Sequence, residues 1–89
     1  MTGQILHTMH ELDSRITDGL HVRLLWSEHD GRVTVAVADT RTGDGFVVDV
    51  RDSDDPLDVF NHPYAYAACR AVDTRIGAGG AELVRLLAA

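Results

Sequence analysis

The chain has 89 residues, of which 45% are hydrophobic and 25% charged, and its formal net charge is −6. A domain of this size buries roughly 60–65% of its unfolded surface, so one modest core fits and a second domain does not. The acidic balance repels phosphate backbones and anionic membrane surfaces unless the arginines cluster, which weighs against nonspecific nucleic-acid or lipid binding.

All eight basic residues are Arg, and Asp outnumbers Glu eleven to three. This pattern reads as a bias toward GC-rich codons more than as chemistry. Cys69 has no second cysteine to pair with, and the first twenty residues lack a basic segment followed by an apolar run. No apolar run approaches the roughly 18–20 residues of a membrane span. The expectation is a cytoplasmic protein.

At the start of the chain Ile5, Leu6, Met9, Leu12 and Ile16 fall three and four apart, which predicts an amphipathic helix over about 4–16. Asp18-Gly19 then reads as the helix stop. From Leu20 to Arg51 the pattern changes to period two. Leu20, Val22, Leu24 and Trp26 alternate, then Val33, Val35 and Val37, then Phe46, Val48 and Val50. Two Gly-containing loops, around Gly31 and over Thr40–Gly45, separate the three segments and supply the positive φ of tight hairpins.

Asp52-Ser53-Asp54-Asp55-Pro56 is a helix-start signature, and a short turn of helix carrying Leu57, Val59 and Phe60 is expected after it. Pro63 opens a further helix over about 63–75, with Ala65, Cys69, Val72 and Ile76 on one face. Gly77 to Gly80 reads as a hinge before a short apolar tail. The predicted fold is α+β in two layers, a three-stranded antiparallel meander covered by helices in the order αβββα(α). Its single domain spans 1–76, with the hinge and tail over 77–89.

That element order resembles the double-stranded-RNA-binding domain over roughly residues 4–75. The likeness would imply a basic helix start and a histidine in the first hairpin loop. His29 lies in that loop, but the last helix is approached by Asp52, Asp54, Asp55 and Asp58 and the chain has no Lys. The phrases Asp18–Trp26, Val35–Gly43 and Asp58–Ala67 are similar to a family of short, uncharacterised actinobacterial proteins. That resemblance brings no activity or site residue with it.

Candidate sites are weighed on chemistry alone. His7, His10 and Glu11 would share one side of a helix, as zinc ligands do, but their spacing is that of a solvated surface. Cys69, in mid-helix with neither a base nor a helix N-terminus nearby, reads as a small buried apolar residue. The acidic run from Asp52 to Asp58 lacks the alternation and glycine of a calcium loop and serves for helix capping. The terminal Leu87-Ala88-Ala89 resembles a tag read by bacterial Clp-type proteases. No spacing suggests an acid, base and nucleophile acting together, so no catalysis, metal or cofactor is expected.

Two surfaces remain. On the sheet face opposite the valines, Leu25, Ala36, Ala38 and Val47 interrupt what would ordinarily be a polar surface. At a helix start, His62, Tyr64 and Tyr66 concentrate aromatic groups that suit a partner. Leu83, Leu86 and Leu87 add apolar surface in the tail. The functional expectation is a small protein-interaction module, regulatory or self-associating as a homodimer. The alternatives are a nucleic-acid-binding domain, with Arg15, Arg23, Arg41 and Arg51 gathered on one side, and a metal-binding or small hydrolytic protein.

Overall fold

In the computed structural model, which describes residues 9–72, Asp18-Gly19 is the turn of a β-hairpin. The φ angles of 52° at Asp18 and 82° at Gly19 are both positive, as a type I′ turn requires. It joins β1 (Met9–Thr17) to β2 (Leu20–Ser27); β3 (Val33–Asp39), β4 (Gly45–Val50), α1 (Pro56–Asn61) and α2 (Pro63–Cys69) follow. The sheet is antiparallel with strand order β1-β2-β3-β4.

Two expectations are thereby corrected. The sheet has four strands and not three, and over the described residues the order is ββββαα and not αβββα(α). The αβββα likeness to the RNA-binding domain loses its first helix over Met9–Ile16. The cause lies in a β-bulge. Glu11 pairs with Leu25 and Asp13 with Leu24, so Leu12 is an extra residue. One inserted residue stretches a period of two into a spacing of three between Met9 and Leu12, which imitates a helical stripe.

The two longer hairpin loops are built alike. The Gly31 N–H donates to the Ser27 carbonyl and the Ser27 N–H to the Arg32 carbonyl, both at 2.8 Å. In the second loop Gly43 and Asp39 donate in the same way to Asp39 and Asp44, again at 2.8 Å. Each glycine takes a positive φ, 72° and 82°, which closes the loop at a point where a side chain would add strain.

Both helices lie on one face of the sheet. There Val22, Leu24, Val35, Val37, Phe46 and Val48 are buried together with Val59 and Phe60 of α1 and Ala67 of α2. Asp55 caps α1, its carboxylate accepting from the Leu57 N–H, and Pro56 opens the helix. α2 stops earlier than the expected 75. The Ala71 N–H donates to the Ala68 carbonyl and the Val72 N–H to the Ala67 carbonyl, with Ala71 at φ 57°. This is a Schellman end made without glycine, and it folds Val72 back onto the core. With the helix so set, Pro63 and Ala67 are its buried residues, while Ala65 and Cys69 are exposed. Burial of Cys69, expected from its neighbours, is therefore corrected.

Candidate interaction surface

Of the expected partner residues, Leu25, Ala36, Ala38 and Val47 share one cluster, and His62, Tyr64 and Tyr66 lie apart from it. Leu25 and Ala36 are 1% and 0% exposed and form a second apolar cluster on the face away from the helices. Met9, Ala38 and Val47 pack against it and are half-buried. Leu25 and Ala36 are thus packed within the cluster, while Met9, Ala38 and Val47 stay partly exposed beside them. Leu83, Leu86 and Leu87, the hinge, His7 and the Leu-Ala-Ala end lie outside the described residues.

His62, Tyr64 and Tyr66 separate around the joint between the helices. Tyr64 sits edge-on to Phe46, with ring centroids 5.1 Å apart, and lines a groove of about 280 Å³ with Arg15, Leu20, Asn61, His62 and Pro63. Partial burial first, then the nearby Asp39 and Asp44 carboxylates, raise its phenol above the ordinary value of 10.0. Tyr66 turns elsewhere and donates to the Asp58 carboxylate, while the Arg70 guanidinium lies 5.2 Å from its ring centre. The hydrogen bond to Asp58 is the main reason the Tyr66 pKa is raised. His62 stands 3.9 Å from Asp58 and makes no side-chain cap to α2.

The strand assignment also divides the histidine cluster. His10 pairs with Trp26 and Glu11 with Leu25, which are neighbours on β2 and point to opposite faces. His10 bonds Glu28 at 2.7 Å and stacks obliquely on Trp26. Glu11 lies 3.4 Å from Arg23, whose Nε donates to His21 Nε2 at 3.1 Å. Burial, and then the Arg23 charge, hold His21 below its ordinary 6.5. Among the described residues no three His, Cys, Asp or Glu side chains are grouped to hold a metal ion.

A wider, polar cleft of about 790 Å³ opens at the other end of the sheet, between the Asp30–Arg32 turn and the Arg51–Pro56 loop. Two of its carboxylates are engaged by backbone N–H groups. Asp54 accepts from the Arg51 N–H at 2.8 Å and from Arg70, and the Asp30 carboxylate accepts from the Arg32 N–H. These bonds hold both carboxyls below the usual 3.8. The cleft presents carboxylates and guanidinium groups but no histidine, cysteine or serine nucleophile among its lining residues.

The sheet's two edges differ most. Along β4 the Arg70 Nη1 donates to the Asp49 carbonyl at 2.7 Å while Nη2 grips Asp54, so a guanidinium lies against the strand. Along β1 no described strand lies outside, and Leu12 and Ile16 are 57% and 72% exposed. Arg15 of β1 folds inward. Its Nη2 donates to the Phe60 carbonyl at 3.0 Å and its guanidinium lies 5.4 Å from the Phe60 ring centre, although its Nε is buried without a partner. The sequence reading missed this edge because it treated Leu12 and Ile16 as the buried side of a helix. An Asp-Gly pair ahead of alternating residues is itself a strong hairpin signal and marked the strand.

No family model, curated protein or solved structure matches this chain. Among the described residues no helix is long and apolar enough to cross a membrane.

Proposed function

We propose that this protein is a non-catalytic protein-interaction module that associates with itself. The observation that carries this reading is the outer edge of β1, where two large aliphatic side chains, Leu12 and Ile16, stand more than half exposed on a nine-residue strand with no described strand beyond it. An open edge offers backbone donors and acceptors to another strand, and apolar side chains along it add burial on contact. Leu57 and Tyr64 are also exposed, on the two helices.

The arginine pattern supports the same reading over nucleic-acid binding. Arg23, Arg41 and Arg70 are paired with Glu11, Asp39 and Asp54, and Arg15 is held over Phe60. Guanidinium groups so engaged are less available to a phosphate backbone. Sedimentation velocity over a wide concentration range tests the proposal. A species of twice the 9.7 kDa chain mass that dissociates on dilution is expected, and a monomer throughout would overturn it.

A further inference from the structure

We infer that two copies of the chain join edge to edge through β1, antiparallel, about a two-fold axis at Ser14. This rests on the self-association reading and specifies its surface and register. The sequence around Ser14 is Leu12-Asp13-Ser14-Arg15-Ile16, with apolar residues two positions away on either side and opposite charges one position away. In an antiparallel pairing centred on Ser14, each Leu12 meets the partner copy's Ile16 and each Asp13 meets its Arg15. A small serine sits opposite itself at the centre. The pairs that flank the central serine are then acid with base and apolar with apolar, the combinations that stabilise neighbouring strands, and beyond them Glu11 meets Thr17. Moving the axis to Asp13 would set two aspartates against each other.

The free chain leaves those groups in keeping with such a partner. Leu12 and Ile16 are exposed, and among the described residues neither Asp13 nor Arg15 has an ion-pair partner, so Arg15 meets the partner copy's Asp13 by turning out from the Phe60 carbonyl it now holds. The Ser14 N–H donates to its neighbour's Asp13 Oδ1 at 2.8 Å. A carboxylate thus occupies this amide until another strand arrives. Charges and bulges are devices by which edges avoid pairing. Here, charges of opposite sign flank the centre, so an inverted copy converts them into attraction. The result would join two four-stranded sheets into one of eight, and an isologous contact of this kind closes at two copies.

The register makes a covalent prediction. Residues directly opposite in an antiparallel pair have Cα atoms about 4.5–5.5 Å apart, inside the span of roughly 4.4–6.8 Å that a disulfide bridges. In a Cys69→Ser background, which removes the exposed native thiol, Ser14→Cys should form a disulfide-linked dimer under glutathione disulfide. Thr42→Cys, exposed in the β3–β4 loop, should not. Because Leu12 and Ile16 are exposed, replacing them leaves the fold intact and allows a second test by sedimentation. Ile16→Lys should weaken the dimer by on the order of tenfold or more, and Leu12→Glu added to it should restore association in low salt, since each Glu then faces a Lys. A wild-type dimer that gives no Ser14 disulfide and no rescue would overturn this register and leave self-association standing. A wild-type chain that stays monomeric and does not cross-link would overturn both, as an edge open to some other protein's strand.

Discussion

The sheet ends in two edge strands, and they are finished in opposite ways. β4 is six residues long, two of its valines and its phenylalanine look into the packed layers, and Arg70 reaches back from the end of α2 to take one of its carbonyls. β1 is nine residues long, and seven of those are exposed. Among the described residues, Arg70 at the end of α2 therefore covers part of one border, and no strand pairs along the other. Edge strands invite aggregation unless something manages them. A border with self-complementary residues points to managed pairing.

The largest effect that separates the two regions concerns Phe60. It is 5% exposed, packs in the core between helices and sheet, and receives the Arg15 contact. Phe60→Ala should destabilise the fold by about 3–5 kcal/mol, whereas Ile16→Ala, on the open edge, should stay within about 0.5 kcal/mol. Urea unfolding at a concentration low enough to keep the chain monomeric reads both. Equal losses would mean that the β1 edge is as tightly packed as the core.

A second effect belongs to the closed border. Asp54 is held below 3.8 chiefly by the Arg51 N–H and then by Arg70. Its native pKa is depressed, so its contribution is present above the unfolded value near 3.8 and is lost as pH falls through the lowered value. Thermal melts between pH 5 and pH 2 should show a stability loss that is shallower in Arg70→Met. An unchanged acid slope in that variant would mean that Arg70 does not bind the folded-state carboxylate.

A smaller change sharpens the contrast further. Ala71 holds φ 57° at the end of α2, beside the Arg70 that closes β4. Left-handed backbone costs an alanine about 1 kcal/mol that glycine escapes. Ala71→Gly should raise the melting temperature by roughly 4–8 °C for a domain of this size, with no effect on self-association. A lower melting temperature would count against the Schellman end.

How much of this was legible beforehand varies by element. The valine alternation of β2, β3 and β4 fixes which face is buried because period two admits one assignment, and Asp55-Pro56 marks the start of α1 by capping chemistry. β1 was concealed by one inserted residue at Leu12, since a single bulge reproduces helical spacing over so short a segment. The end of α2 was hidden because Ala71 takes a conformation usually signalled by glycine. The face around Leu25 was less legible for another reason. Alternation tells which side of a strand a residue occupies but not whether that side is covered, and Leu25 is 1% exposed.

Residue-resolved amide exchange along both borders, followed as a function of protein concentration, tests the central claim most directly. The account predicts that alternate β1 amides around Ser14 slow as concentration rises while those of β4 do not change. Exchange along β1 that is indifferent to concentration, or slowing confined to β4, would contradict it.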